Sequence, residues 1–199
     1  MKMRTWVSSH GLACGLALGA VGCAHNAESG TNPEVPGSAQ VEVPEASAAA
    51  SVTSAGATLA PKSGNTTLSG QAKFTQTADG VKLALQVQGL PPGQHGAHIH
   101  EKGDCGDPEA KNAGSHWNPA GHQHGAPPPS SVHLGDLGNL TVGADGKGEL
   151  DLTSADWKIG GGAPQDVIGK AVVIHADVDD LVTDPAGNSG ARIGCGVIQ

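Results

Sequence analysis

The feature that most constrains the fold of this chain is an alternation of apolar and polar residues with a period of two. In VKLALQVQ, residues 81–88, Val or Leu stands at every second position, with Lys, Ala and Gln between them. This period is typical of a β-strand that buries one face and exposes the other. The turn sequence TADG, residues 77–80, connects it to the strand-like segment TLSGQAKFTQ, residues 67–76. The pattern therefore predicts an antiparallel hairpin.

Other segments have the same character. A second hairpin is predicted where ADGK, residues 144–147, separates LGNLTVG from GELDLT. The continuous apolar run in KAVVIHAD, residues 170–177, predicts a central strand. No segment has a sustained helical period, and the chain has 31 Gly and 13 Pro residues but only 2% aromatic residues. We therefore expect an all-β domain, either a sandwich or a barrel, and exclude a helical bundle.

Two segments are too long and too polar to be strands. Residues 101–135 contain Gly, Pro, Asp and four histidines, and residues 176–194 contain Asp, Gly and Asn. Long loops in a compact domain usually carry function. We therefore expect the chemistry of this protein to lie in these two loops.

The N-terminal part has the organisation of an exported protein. Lys2 and Arg4 precede an apolar stretch, residues 11–22, that is shorter than the ~20 residues of a membrane-spanning helix. We interpret residues 1–22 as a signal peptide. The sequence AVGC at its end is similar to a bacterial lipoprotein signal, which predicts a lipid on Cys23 and an outer-membrane anchor facing the periplasm. The alternative is an ordinary cleaved signal peptide and a soluble periplasmic or secreted protein.

The next segment predicts a linker rather than a domain. Residues 23–64 are rich in Ala, Ser, Pro and Glu and have no hydrophobic period. Such a composition cannot bury enough apolar surface to offset the entropy of ordering. We interpret it as a flexible tether, followed by one domain at residues 65–199. The formal net charge of −8 argues against nucleic-acid binding.

Two cysteines remain for the folded domain. Cys14 lies in the predicted signal peptide, and Cys23 is the predicted site of lipidation. This leaves Cys105 and Cys195 in an exported domain, where disulfides persist. A disulfide between them would close a loop of about 90 residues and contribute roughly 4–5 kcal/mol by restricting the unfolded chain.

Eight of the ten histidines fall between positions 95 and 175. Residues i and i+2 of a strand point to the same face, so His98 and His100 present two imidazoles to one point. Side-by-side imidazoles favour copper or zinc. An H-x-H pair alone is weak, because a structural histidine is the commoner outcome. The whole set, in an exported β domain, strengthens the metal interpretation.

Five segments together resemble one family. Motifs of the copper–zinc superoxide dismutases, in their exported bacterial form, are similar in content and order to GAHIHEKGDC, SHWNPAGHQHG, VHLGDLGNL, VVIHADVDDL and GNSGARIGCGVI. The resemblance covers residues 65–199. It implies a Greek-key β-barrel or sandwich of about eight antiparallel strands with two long functional loops. It also implies conversion of superoxide to oxygen and hydrogen peroxide by Cu(II)/Cu(I) cycling beside a structural zinc.

The resemblance also implies the metal ligands, for one copper ion and one zinc ion. The implied copper ligands are His98, His100, His116 and His175. The implied zinc ligands are His116, His124, His133 and Asp136. His116 would therefore bridge the two ions and take part in catalysis.

The resemblance assigns roles to further residues. Asp179 would accept hydrogen bonds from one copper ligand and one zinc ligand, the alternative being a solvated loop acid. Arg192 would guide the superoxide anion, the alternative being a surface arginine. Superoxide is thus the implied partner, with a membrane tether through Cys23. We expect His95 to bond to the backbone and His122 to face solvent.

Two other classes of function share this fold. A metal store or chaperone would bind copper without turnover, and a structural module would bind no metal. The presence of all seven implied ligands and of Arg192 favours the dismutase. The loop from His100 to Cys105 is short, so the dimer contacts of eukaryotic members are not carried over, and the sequence selects neither monomer nor dimer.

Overall fold

The structure, a computed structural model, describes residues 53–128 and 130–199. Its regular elements are eight strands and one short 3-10 turn, Lys111–Ala113. The strands are β1 (Ser54–Pro61), β2 (Ser69–Thr77), β3 (Gly80–Gln88), β4 (Gly93–His100), β5 (Asp136–Val142), β6 (Lys147–Ser154), β7 (Ala171–His175) and β8 (Arg192–Val197). Within these residues there is no helix of the length and apolar character that a membrane crossing needs. The predicted signal peptide, Cys23 and the first part of the predicted tether lie outside the described residues.

The eight strands close into a barrel in the order β1-β2-β3-β6-β5-β4-β7-β8. Every neighbouring pair is antiparallel. β3 lies beside β6 rather than β4, so the chain crosses the barrel between β3 and β4 and returns through β5. This is a Greek-key path. The predicted all-β barrel of about eight antiparallel strands is confirmed, as are both predicted hairpins.

The core follows the alternation seen in the sequence. One face of β3 consists of four apolar residues that are at most 4% exposed: Val81, Leu83, Leu85 and Val87. On the adjacent strand, Phe74 meets Trp157 edge to face, with ring centroids 6.0 Å apart. The indole Nε1 of Trp157 donates to Leu134 O at 2.9 Å. The few aromatic side chains of the domain thus add large apolar area where water is excluded, while their polar atoms stay paired.

β1 contradicts the predicted domain boundary. The predicted tether reaches residue 64, but Ser54–Pro61 forms a strand between β2 and β8, so that boundary is wrong. Of the three inward side chains of β1, Ala55 and Ala57 are small and only Leu59 is large. Small alternating residues carry little hydrophobic signal, and hydrogen bonds to two neighbouring strands stabilise the segment instead.

The two long loops cover the outer face of β4. The first loop follows β4, and its Trp117 N–H donates to Ile99 O at 2.9 Å. The second loop follows β7, and its Asp177 O accepts the N–H of Gly96 at 2.9 Å. Because the barrel core lies on one side of β4 and the loops on the other, residues 95–100 are all buried. The polar residues of this strand are therefore enclosed between barrel and loops.

A disulfide attaches the first loop to the barrel. Cys105 and Cys195 are bonded, with their Cα atoms 5.8 Å apart and 90 residues apart in sequence. The predicted pairing is confirmed. Cys195 is buried in β8, so the link fixes the loop to a rigid strand.

Replacing Cys105 and Cys195 together by serine should lower the free energy of unfolding of the metal-free protein by about 4 kcal/mol, because the unfolded chain regains the entropy of a long open loop. Guanidinium denaturation followed by circular dichroism measures this difference. Dithiothreitol should destabilise the wild type to the same extent and leave the double variant unchanged. Equal stability of the oxidised wild type and the variant would contradict the prediction.

Candidate metal centre

The centre of the site is built on the outer face of β4. Ile99 points into the barrel core, so His98 and His100 on either side of it point outward, as the strand period predicts. Both imidazoles lie under the loops and are at most 1% exposed. His175, the last residue of β7, brings a third ring, with its centroid 4.8 Å from that of His98 and 5.7 Å from that of His100.

The fourth ring comes from the first loop. His116 forms an isolated β-bridge with His100, next to the Trp117 hydrogen bond described above. Its ring centroid lies 3.9 Å from that of His98 and 5.0 Å from that of His100. The potential ligand atoms of the four rings all lie within 4.8 Å of one another. We call the four the four-histidine group: His98, His100, His116 and His175.

Each member of the four-histidine group has one buried ring nitrogen without a hydrogen-bond partner. In the described ranges no other buried side-chain nitrogen or oxygen has this property. The atoms are His98 Nδ1, His100 Nε2, His116 Nε2 and His175 Nε2. A buried polar atom left unpaired costs about 1–3 kcal/mol. Four of them in one place indicate a ligand site rather than scattered packing defects.

The second nitrogen of three of these rings donates a hydrogen bond. The pairs are His98 Nε2 to Asp179 Oδ2 (2.7 Å), His100 Nδ1 to Gly114 O (3.0 Å) and His175 Nδ1 to Gly190 O (3.2 Å). Because carbonyl and carboxylate oxygens accept, the ring proton lies on the paired nitrogen. The unpaired nitrogen of each neutral ring therefore carries a lone pair directed into the group.

Burial keeps these rings neutral. It lowers the pKa of His98 and of His100 well below the ordinary value, and the neighbouring His116 adds to both shifts. Burial also lowers the pKa of His116, and it lowers that of His175 to about 4. The lone pairs are thus available at neutral pH. The group fits a cation that prefers imidazole, as copper and zinc do.

A second group shares His116 with the first. It consists of His116, His124, His133 and Asp136, and we call it the three-histidine–aspartate group. The Nδ1 atoms of its rings all lie close to Asp136 Oδ1, at 2.9 Å for His116, 3.0 Å for His124 and 3.3 Å for His133. Asp136 Oδ2 accepts the N–H groups of Gly125 and His133, which orient the carboxylate. Three ring nitrogens and one carboxylate oxygen are a donor set typical of four-coordinate zinc.

Asp179 connects the two groups. Its Oδ2 accepts from His98 Nε2 at 2.7 Å, and its Oδ1 accepts from His124 Nε2 at 2.9 Å. The side-chain amide of Asn139 pairs with the backbone N–H and C=O of Asp179, both at 2.8 Å. Gly187 leaves room for the carboxylate, since a Cβ there would overlap it. One buried acid therefore orients one ring in each group.

Arg192 lies beside the four-histidine group. Its Nη1 donates to Ala110 O at 2.7 Å and its Nη2 to Gly114 O at 2.8 Å. Burial, the neighbouring His116 and the positive charge of Arg192 all lower the pKa of His100, with burial having the largest effect. The guanidinium is partly buried and lines a surface depression of about 620 Å³. The first loop thus holds a cation at the surface, and Arg192 is the cross-strand partner of His175 in the four-histidine group.

Comparison with known proteins identifies the family. The family model for copper/zinc superoxide dismutase (SODC) matches residues 68–198. The chain belongs to this family. A superoxide dismutase [Cu-Zn] from Caulobacter vibrioides is 42% identical over 148 residues, which cover 72% of this chain and 85% of the relative. The resemblance drawn from the sequence motifs is confirmed.

Solved structures with the same fold carry several names. A SOD-like protein from Bacillus subtilis is 37% identical, with a TM-score of 0.63, over 71% of this chain and 95% of that protein. The clock protein EA4 is 38% identical, with a TM-score of 0.65, over 73% of this chain and 93% of that protein. Membership of the copper/zinc superoxide dismutase family implies one copper and one zinc ion, and this chain offers one residue group for each.

Two histidines of the domain lie outside both groups. The ring nitrogens of His95 contact His175 O at 3.0 Å and Pro91 O at 3.1 Å. His122 is exposed, and its Nδ1 donates to Val132 O at 3.1 Å. Backbone contacts account for both rings.

The sequence did not predict the residues that orient the site side chains through backbone hydrogen bonds. Asn139 orients Asp179, and Gly114 O accepts from both His100 and Arg192. The one available signal was an amide side chain inside a predicted strand, where Asn is uncommon.

Zinc and copper should each raise the melting temperature of the metal-free protein, because the ions bind donor atoms that only the folded chain brings together. The stabilisation should reach about 4 kcal/mol once free metal exceeds its dissociation constant roughly a thousand-fold. Differential scanning calorimetry with and without chelator measures the effect. His122→Ala should respond like the wild type, whereas His116→Ala should lose part of the shift with either metal. A melting temperature that neither metal moves would contradict both sites.

Proposed function

We propose that this chain is a superoxide dismutase that converts superoxide to oxygen and hydrogen peroxide. One copper ion would bind the four-histidine group, and one zinc ion the three-histidine–aspartate group. The observation that carries the proposal is the position of His116, whose Nε2 belongs to the first group and whose Nδ1 belongs to the second. A ring shared in this way would serve both ions, whereas a site for a single ion needs no shared ligand.

The four-histidine group supplies the environment for electron exchange. Bound copper supplies the redox chemistry, since it cycles between two oxidation states with imidazole ligands. The chain itself holds the rings so that their lone pairs converge. Asp179 and the carbonyls of Gly114 and Gly190 prevent three of the rings from rotating. A preorganised ligand set needs little rearrangement during turnover.

The three-histidine–aspartate group supports a structural role for zinc. Its four donors leave no open position for substrate, and zinc itself has no redox chemistry. Asp136 is fully buried, and backbone N–H groups fix its orientation. The group therefore holds His116 in place from the side facing away from the other three rings.

Peroxide formation also needs protons. Two superoxide ions and two protons give one molecule of oxygen and one of hydrogen peroxide. We assign the delivery of one proton to His116 Nε2, the nitrogen without a protein partner, which would first take that proton from water, and the delivery of the other to water directly. Burial lowers the pKa of His116, so a second proton taken up by this ring is held weakly and is passed on readily.

Arg192 provides local attraction for an anion on an acidic chain. The formal net charge is −8, which disfavours the approach of superoxide over most of the surface. The guanidinium is held by two carbonyls of the first loop, lines a surface depression, and belongs to the cross-strand partner of His175. A fixed cation there raises the local substrate concentration and orients the anion.

The proposal predicts that His175→Ala abolishes superoxide consumption while leaving the fold and the zinc content intact. The ring of His175 contributes one proposed copper ligand and one hydrogen bond, to Gly190 O, and belongs to no zinc donor set. Superoxide consumption, elemental analysis and circular dichroism are measured on the metal-loaded protein. His122→Ala is the matched histidine control and should keep full activity. Full activity in His175→Ala would refute the copper assignment, and bound copper without turnover in the wild type would favour a metal store.

We also propose that the chain is exported and anchored by a lipid on Cys23. The support is the basic start, the short apolar stretch and the AVGC sequence, together with a disulfide that suits an oxidising compartment.

The anchor predicts that Cys23→Ser moves the protein from the membrane fraction to the soluble fraction, because the acyl chains have no other attachment site. Detergent phase partitioning and the mass of the N-terminal peptide measure this change. Cys14→Ser should leave the distribution unchanged. A wild-type protein that starts at residue 23 with an unmodified cysteine would contradict lipidation.

A further inference from the structure

Lys62 connects the end of β1 to the disulfide-bearing loop. Its Nζ donates to Cys105 O at 2.5 Å and to Asp107 O at 3.2 Å, and the side chain is partly buried. Its backbone N–H donates to Ile193 O at 2.8 Å, next to Arg192 on β8. An ammonium group makes stronger hydrogen bonds to carbonyls than a neutral donor does. Lys62 therefore holds β8 and the first loop together.

The part of the loop that Lys62 holds is the part that holds Arg192. Residues 107–114 form a tight segment, here called the Asp107 turn, whose backbone N–H groups are gathered by the Asp107 carboxylate. The donors are Glu109 (2.9 Å), Lys111 (3.0 Å) and Asn112 (2.8 Å). The Asp107 turn presents Ala110 O and Gly114 O to the two terminal nitrogens of Arg192.

These contacts close a ring of hydrogen bonds. It runs from Lys62 through the Asp107 turn to Arg192 and returns through Ile193. The disulfide fixes the loop to β8 at Cys105, and the backbone N–H groups of Ser63 and Lys102 donate to Pro108 O and Ala113 O of the Asp107 turn at 2.8 and 3.0 Å. The Nζ of Lys62 adds the charge-assisted hydrogen bonds to Cys105 O and Asp107 O, so the Asp107 turn cannot move away from the end of β1 without breaking them.

We propose that Lys62 is a positioning residue that fixes Arg192 for superoxide, acting through the Asp107 turn. The inference rests on the proposed function, because it depends on the guiding role of Arg192. The hydrogen bonds of Lys62 go to none of the proposed metal ligands, and the metal contents of the variants test whether the Asp107 turn also acts on His100 through Gly114 O.

Three variants separate positioning from simple charge. Lys62→Met removes both the attachment and one positive charge, and Lys62→Arg keeps the charge and the donors. Lys73→Met removes the same charge from an exposed position on β2. Amide hydrogen exchange at Lys111 and Asn112 and kcat/KM for superoxide are measured on the copper- and zinc-loaded protein.

Lys62→Met should speed exchange at these amides about five-fold, which corresponds to the loss of one net hydrogen bond. The metal contents should stay the same, and kcat/KM should fall by a similar factor. Lys62→Arg should restore both values. Lys73→Met should leave exchange unchanged and alter kcat/KM much less.

Several results would overturn the inference. Wild-type exchange rates in Lys62→Met would show that Lys62 does not hold the Asp107 turn. Equal losses of kcat/KM in Lys62→Met and Lys73→Met would reduce its role to net charge. Faster exchange throughout the barrel, including the core residue Leu83, would show general destabilisation. A wild type that binds both metals but consumes no superoxide would refute the proposed function, while the exchange data would still decide what Lys62 holds.

Discussion

Four buried lone pairs without a protein donor are the constraint around which this structure is arranged. They belong to the rings of the four-histidine group, which lie between the barrel wall and two loops. Such an arrangement disfavours folding when no ligand is bound and favours it once a cation accepts the lone pairs. The loops exclude water from this space and supply acceptors for the remaining ring protons. Binding energy at the centre is thereby coupled to the order of both loops.

One backbone carbonyl couples the four-histidine group to Arg192. Gly114 O accepts from His100 Nδ1 at 3.0 Å and from Arg192 Nη2 at 2.8 Å. The orientation of a proposed copper ligand and the position of the anion-guiding cation therefore depend on the same peptide group. On the other side of the centre, Asp179 performs the equivalent task for His98 and His124. Substrate approach and metal geometry are consequently set by a shared frame rather than by independent contacts.

The sequence revealed those features that depend on periodicity and on chemically distinctive side chains. The alternation in residues 81–88 predicted β3 and its buried face, and the H-x-H pair predicted two rings on one side of β4. β1 was not predicted because two of its three inward residues are alanines, and hydrogen bonds to β2 and β8 stabilise it. The role of Lys62 was not predicted either. Its partners are backbone carbonyls far away in sequence, and because every residue has a carbonyl, the sequence does not indicate which ones a lysine will contact.

The closure of the barrel by β1 bears on where this domain begins. A shortened protein starting at residue 65 would retain the whole of the family match and every proposed metal ligand. It would nevertheless leave β2 and β8 as open edges, each with a row of unpaired backbone donors and acceptors. Such edges recruit strands from other molecules. By pairing with β2 and β8, the segment SAGATLAP thus protects both strand edges from pairing with other molecules.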